Sequence, residues 1–385
     1  LPAYQEKRQS TDLDMRIGID IRSAIHEPAG IGTLTLNLVR QLMREDRQNE
    51  YFLYGDAPFD FGISNDRFHA VTKSSGVPVV GKLVWHLSAA FDARYRLRLD
   101  RFVSVGSLQV SALTRDFTVL VVPDLSHILL PEYHIAKSRV TARLVMKQAL
   151  LRARRIVAIS EHTKADILAH MKGRIEERKI SVAHLACDET FSRTPTAEDI
   201  QRVRERYLLP EKYVLAVGTL EPRKNYETLI RAFRKCMDEG VTHNLVIVGR
   251  KGWFFETIFR EVKTLGLESN VRFLGFVPSD DLPSIYARAD AFVYPSLYEG
   301  FGIPPLEAMT CGVPVITSNT TSLPEVTGNA AILVNPRDPQ ELSVQLSTLL
   351  RDEQLRNFYR RAGIERARQF SWKSFADKIL EALQG

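Results

Sequence analysis

Cysteine is scarce. Three cysteines, Cys187, Cys236 and Cys311, are scattered over 385 residues with no C-x-x-C spacing. This excludes a disulfide framework or a cysteine zinc site and suits a reducing compartment. Long apolar runs are missing too: no stretch of about 18 apolar residues occurs, so no transmembrane helix is expected. Residues 1–14 have no apolar core of the kind a signal peptide needs, and read as a loose polar leader or tag ahead of Met15. Internal repeats of 20–50 residues are absent, which removes solenoids and propellers. No cluster of metal-ligating residues stands out, because the Asp12/Asp14 pair falls in the leader. Charge is not one-sided either. With 52 basic and 46 acidic residues, a net charge of +6 and 44% hydrophobic residues, the chain is neither globally disordered, collagen-like nor polytopic.

The length exceeds one ordinary domain and predicts two. Short apolar runs bounded by turn residues recur at Met15–Asp20, Tyr51–Tyr54, Phe117–Val122 and Arg155–Ile159. They recur again at Tyr213–Val217, Leu245–Val248, Val271–Phe276, Ala291–Tyr294, Val315–Ile316 and Ala331–Val334. Continuous runs of this kind suit strands buried on both faces. Helical patterns such as Tyr226–Glu239 and Trp253–Leu265 lie between them. Strand–helix alternation implies right-handed βαβ units and parallel sheets, an α/β fold with one sheet per half. The boundary is expected between Pro195 and Pro210, where Thr196–Tyr207 reads as a polar helix capped by Thr194 or Thr196. This gives a first unit over 15–205 and a second from 206.

Five motifs could carry chemistry. Gly218–Asn225 (GTLEPRKN) follows an apolar strand and sets Arg223 and Lys224 where ligands collect in open α/β sheets. A guanidinium and an ammonium there suit phosphate, although two loop cations can also simply be solvated. Pro295–Gly312 (PSLYEGFGIPPLEAMTCG) holds Glu299 and Glu307 eight positions apart around a Gly-Phe-Gly bend, with Pro304–Pro305 opening a helix. Amides around Gly302–Leu306 would make an anion site, and carboxylates suit hydroxyl donors. A dipole-stabilised Glu explains Glu307 without function but explains neither Glu299 nor the bend. Ala29–Gly32 (AGIG) puts two glycines after the first strand. It lacks the full dinucleotide fingerprint, and a plain strand–helix turn reads it equally well. Asp124 follows the Phe117–Val122 strand, either as a functional carboxylate or as a turn cap, and His127 lies close behind.

The fifth feature is charge distribution. Residues 1–205 carry 30 Lys and Arg against 25 Asp and Glu, while 206–385 carry 22 against 21. Lys137–Arg155 has seven basic residues and no acid, with Arg139, Arg143 and Lys147 on one helical stripe beside Val140 and Leu144. Lys82–Arg101 adds Lys82 and Arg94 together with Trp85, Phe91 and Tyr95. Basic, aromatic and aliphatic residues together suit an anionic membrane surface. A solvated helix packing its apolar side on a sheet is the structural alternative.

Taken together, GTLEPRKN, Val248–Trp253 (VGRKGW), Leu274–Val277 (LGFV) and YPSLYEGFGIPPLEAMTCGVPVITS resemble the retaining GT-B glycosyltransferases of glycosyltransferase family 4. The likeness is dense over 210–335 and looser over 15–385, and it is nearest to bacterial O-antigen and exopolysaccharide mannosyltransferases. It implies two Rossmann-like domains facing across a cleft, an acceptor domain first and a nucleotide-sugar domain over 206–370. A helix over 371–385, opened by Ser371–Trp372, would cross back to the first domain. By resemblance, Arg223 and Lys224 hold the donor diphosphate, Glu299 faces the donor sugar and Glu307 reaches the ribose. Phe301, Gly302 and Ile303 offer backbone contacts to sugar or phosphate, Gly32 approaches the diphosphate from the first domain, Gly218 and Leu306 line the donor, and Val277 lines the base pocket beside Arg250. Family members often have His-Asp where this chain has Pro123-Asp124.

The implied activity is transfer of a hexose, mannose from GDP-mannose favoured, to a polyprenyl-diphosphate-linked saccharide in bacterial surface-polysaccharide synthesis. Configuration would be retained, and no essential metal, cofactor or nucleic acid would be needed. The enzyme would sit on the inner face of the cytoplasmic membrane. A different nucleotide-sugar donor, a non-catalytic sugar-nucleotide module and a nucleotide-sugar 2-epimerase are the alternatives, with a nucleic-acid-modifying transferase behind them.

Overall fold

The computed structural model describes residues 15–26, 30–62, 64–73, 81–133 and 139–385; inside helices, the side chains of 81–83, 133 and 139–143 also fall outside the described residues. The leader, and the side chains of Lys82, Arg139 and Arg143, therefore lie outside the described residues.

The apolar runs form two parallel sheets. The first contains β1 (Arg16–Asp20), β2 (Glu50–Gly55), β3 (Phe68–Thr72), β4 (Arg101–Val105), β5 (Thr118–Val122), β6 (Arg155–Ala158) and β7 (Ile180–Val182), in the order β3-β2-β1-β4-β5-β6-β7. The second contains β8 (Tyr213–Val217), β9 (Asn244–Val248), β10 (Val271–Gly275), β11 (Ala291–Tyr294), β12 (Val315–Ser318) and β13 (Ile332–Val334), in the order β10-β9-β8-β11-β12-β13. Every described strand pairing is parallel. All five residues of β5 are buried, as a strand covered by helices on both faces requires.

The expected strands all form, two with the expected ends and eight with ends shifted by one or two residues. β10 stops at Gly275, whose φ of +70° turns the chain out of the extended region. Three strands of the first sheet, β3, β4 and β7, were not expected. β3 is an edge strand without a continuous buried run, β4 interrupts its apolar pattern with Ser104, and β7 is three residues long. Between the sheets, the helix Ala197–Tyr207 starts at a capping box in which Thr196 and Asp199 bond each other's backbone.

In both sheets the strand order reverses at one point, between β1 and β4 and between β8 and β11. Ligands of doubly wound sheets bind outside the carboxyl ends of the strands at such points. The two cores are also joined. Phe301, Leu306 and Val326, which follow β11 and β12, are buried in one cluster with Ile19, Val105 and Val121 of the first sheet. The final helix, Trp372–Gln384, packs Phe375, Ile379 and Leu383 into that same cluster, and Trp372 Nε1 donates to the carbonyl of Cys187 at 3.0 Å.

Candidate functional site

At the β8/β11 reversal the chain gathers charge. β8 runs into a single 3₁₀ turn, Pro222–Lys224, in which proline takes the first position. Asn225 follows at φ +59° and donates its side-chain amide to the carbonyls of Pro295 and Pro336. That anchor fixes Arg223 and Lys224 beside the loop after β11. Glu299 lies between them. Its Oε1 accepts from Lys224 Nζ at 2.7 Å, Ser296 Oγ at 2.6 Å and Tyr294 Oη at 2.9 Å. Its Oε2 accepts from Arg223 Nη1 at 3.0 Å. Arg223 also donates to Glu221 at 2.8 Å and to the carbonyl of Tyr298 at 2.7 Å.

Glu299 is 7% exposed and Lys224 9%. Burial alone would raise the Glu299 carboxyl, but Arg223 and Lys224 overcome it and hold the group down at about 2. Burial, reinforced by Arg223, lowers Lys224. Arg223 is raised because Glu299 and Glu221 outweigh its own desolvation. The site is thus a buried lattice of two cations and two carboxylates, and it stays intact because every charge is paired and hydrogen-bonded.

Glu307 occupies a different environment. It sits in the helix Ile303–Thr310 and accepts from Tyr286 Oη at 2.8 Å. Burial, helped by the Asp188 charge, pushes its carboxyl up to about 7. The two glutamates of one motif are therefore poised oppositely, one ionised throughout the neutral range and one titrating within it.

The remaining residues sort by position. Gly218 adopts φ +152°, and a Cβ there would come within 3.2 Å of Tyr226 Oη. Gly302 caps the Ile303–Thr310 helix at φ +112°, and Ile303 is partly buried behind it. The exposed Arg250 stacks its guanidinium 4.1 Å from the Phe276 ring centre, whereas Val277 is buried in the core beside β9 and β11. Three expectations need correction. Leu306 is buried, and its amide bonds the carbonyl of Gly302 at 3.4 Å, so it is no free donor for an anion. Phe301, expected to offer only its backbone, keeps its side chain in the shared core between His184 and Phe370, which leaves that expectation as it was. Gly32 is not in a loop: the helix begins at Ile31 and buries Gly32 in its first turn, with Gly30 at φ +61° in front. Trp85, read as a surface anchor, is 2% exposed.

On the first-sheet side, Asp124 accepts from the amide and hydroxyl of Ser126 at 2.8 and 2.7 Å, so it caps a turn. It also abuts the glutamate loop. A Cβ on Gly300 would lie 2.0 Å from the carbonyl oxygen of Pro123 and 2.9 Å from Asp124 Cβ. His127 is exposed on the next turn. Arg94 is exposed with its guanidinium 4.9 Å from the Phe117 ring centre, and Lys147 is half-buried.

Sequence reasoning did not find the partners that hold this loop. Ser160 and Thr163 donate to the carbonyl of Gly300 at 2.7 and 3.2 Å. Tyr298 donates to Asp166 at 2.6 Å. Glu325 accepts from the amides of Glu161 and His162 at 2.8 and 3.2 Å, at the start of the helix Glu161–Met171, and pairs with His184 at 2.6 Å. A carboxylate on free amides at a helix start is a favourable cap, supplied here from the opposite sheet. Glu221 had a signal, lying two residues before Arg223 in the same loop. Ser160 and Glu325, 165 positions apart, had none. Among the described residues no three His, Cys, Asp or Glu side chains converge to hold a metal ion.

Residues 199–366 match the family Glycosyl transferases group 1. Over 373 residues the chain is 31% identical to the O-antigen chain mannosyltransferase B of Escherichia coli, covering 92% of this chain and 95% of that one. It is 32% identical over 268 residues to the serotype-specific mannosyltransferase WbdA of E. coli, of whose length it spans 33%. Anabaena Alr3699/HepE in complex with UDP and glucose superposes with a TM-score of 0.76 at 20% identity, covering 96% of this chain and 99% of that one. Its architecture is the two-sheet GT-B fold. With a full-length relative at this identity and a family match over the second sheet, the chain belongs to the group 1 glycosyl transferases and is a glycosyltransferase.

Proposed function

We propose that this enzyme transfers mannose from GDP-mannose, with retention of configuration, to a lipid-linked saccharide in O-antigen-type polysaccharide synthesis. The mannosyltransferase names of its relatives support the sugar and the pathway class. The observation that carries the reaction is the Arg223–Glu299–Lys224 lattice at the β8/β11 reversal. Without donor, Glu299 occupies both cations. A diphosphate brings more charge and more acceptor oxygens than one carboxylate, so it displaces Glu299 from Arg223 and Lys224. The freed carboxylate then accepts hydroxyls of the donor sugar. As the glycosidic bond breaks, charge grows on the departing diphosphate, and the two fixed cations stabilise it more than they stabilise the bound donor. They do the work a divalent metal does elsewhere, so turnover persists in EDTA. Glu307, once ionised, accepts the ribose hydroxyls. The departing phosphate oxygen takes the acceptor proton on the same face, which preserves configuration.

One surface favours attachment to the membrane that carries the acceptor. Val84, Leu87, Phe91 and Tyr95 expose 48–67% of their surface along one stripe of the helix Gly81–Phe91 and its π-helical extension Asp92–Arg96. Arg94, Arg96 and Arg98 are exposed close by. Among the described residues no helix is long and apolar enough to cross a membrane, so attachment would be peripheral.

The test is a thermal-shift and turnover screen of GDP-, UDP- and ADP-sugars. GDP-mannose should give the largest stabilisation. Stabilisation by UDP-sugars alone overturns the donor assignment.

A further inference from the structure

The β1/β4 reversal of the first sheet carries a second polar constellation, outside the donor lattice. Asp20 ends β1 and is 2% exposed. Arg22 grips it in fork geometry, Nε to Oδ1 at 3.0 Å and Nη2 to Oδ2 at 2.6 Å. The Arg22 guanidinium lies 3.5 Å from the ring centre of Trp85. It is also 3.3–3.4 Å from the ring nitrogens of His86 and 3.2 Å from the hydroxyl of Ser107, which follows β4. Arg22 and Ser107 are partly buried, the Arg22 side chain 16% exposed, above this buried floor. Trp85 adds an independent sign: its indole Nε1 is buried with no hydrogen-bond partner among the described residues. A buried donor without an acceptor costs about 1–3 kcal/mol, so this wall of the constellation has unspent hydrogen-bonding capacity.

We propose that Asp20, Arg22, Trp85, His86 and Ser107 form the subsite for the acceptor's sugar ring, a neutral saccharide rather than its phosphate. The location follows the rule that placed the donor lattice: each sheet presents its ligand groups where its strand order reverses. The chemistry selects the ligand class. Asp20 and Arg22 neutralise each other, so an anion gains little attraction and meets the Asp20 charge. Sugar hydroxyls both donate and accept, and so suit the mixed set of the Ser107 hydroxyl, the remaining guanidinium hydrogens and the carboxylate beneath them, whereas an ionised phosphate oxygen only accepts. This assignment rests on the transferase reading above and deepens it, assigning the saccharide to the inner face of the helix whose outer stripe faces lipid.

The experiment uses the full chain labelled with ¹⁵N-tryptophan. Three tryptophans are present, so three indole signals result, and Trp85→Phe identifies one. Mannobiose, lactose and chitobiose are titrated as neutral probes, and inorganic pyrophosphate as the anionic one. At least one disaccharide should move the Trp85 signal and pyrophosphate should not. Arg22→Gln should weaken that disaccharide by about tenfold while stabilisation by nucleotide sugar stays at the wild-type level. Ser107→Ala should weaken it in the same direction and serves if Arg22→Gln does not fold. A Trp85 signal that no disaccharide moves, one that only pyrophosphate moves, or variants that bind the disaccharide as wild type does, each overturns the proposal. Failure of the donor reading would appear separately, as wild-type protein that no nucleotide sugar stabilises.

Discussion

Glu299 and Glu307 belong to one short motif and have the same chemistry, yet their surroundings drive them in opposite directions. Arg223 and Lys224 hold Glu299 ionised. Lys224→Ala should lower turnover by roughly 10²–10³-fold, the scale of losing one donor to transition-state charge. Glu299→Gln should lose turnover while GDP still stabilises the protein, because Arg223 and Lys224, the cations proposed to hold the diphosphate, remain. Single-turnover kinetics with the thermal shift separates the two effects. Glu307 titrates near 7, so the folded chain retains a proton there that the unfolded chain has released from its ordinary 4.5 upward. Its contribution therefore lowers stability as pH rises from about 4.5 to 7. Glu299 has the opposite sign: its contribution is present above 4.5 and is lost as pH falls toward 2. For binding, an ionised Glu307 is the better acceptor of ribose hydroxyls, so donor affinity should rise from pH 6 to 8, by at most about one log unit per pH unit. Glu307→Gln should flatten this dependence, as read by calorimetric titration of GDP at both pH values.

Loops and helix ends, rather than the strands, join the two halves. The Tyr298–Phe301 loop lies against Pro123, Ser160 and Thr163, and Glu325 caps a helix of the opposite half. Gly300 is glycine because the Pro123 carbonyl fills the space of a side chain. Gly300→Ala should force the loop from the first half, at an overpacking cost of about 1–3 kcal/mol or more. Its thermal midpoint should fall, and turnover should fall by a larger factor than GDP affinity. Equal loss of both, or of neither, would show that this contact does not serve transfer. The Pro123 carbonyl also accepts from Thr163 Oγ1 at 3.4 Å.

The whole molecule divides its charge between tasks. The Arg223–Glu299–Lys224 lattice proposed to bind the donor lies in the nearly neutral second half, so on that reading the basic excess of the first half serves something other than the donor. The exposed Val84–Tyr95 stripe gives it a direction. Phe91→Glu with Tyr95→Glu should abolish flotation with anionic phosphatidylglycerol vesicles and leave turnover on a soluble acceptor unchanged. Wild-type flotation should weaken as salt is raised, because exposed charges are screened within about 8–10 Å at 0.10–0.15 M salt. Equal flotation of the variant would remove this surface from the membrane reading.

Sequence alone determined the features that depend on neighbours along the chain. Continuous apolar runs marked ten of the strands, since burial on both faces demands them. Thr196, one of two threonines expected to cap it, opens the linker helix, and the motifs holding Arg223, Lys224 and Glu299 marked residues that meet at the β8/β11 reversal. Tertiary structure decided what depends on packing between distant segments. The edge strand β3 has no buried face to pattern it, and Leu306 is turned into the core that its helix must share. Trp85, read as an anchor, is covered by Arg22, 63 positions away in the chain. The opposite proton affinities of Glu299 and Glu307 are of the same kind. Burial and the field of neighbouring charges set them: Glu299 takes its charges from a loop after β8 of its own sheet, and Glu307 feels Asp188 from the other half.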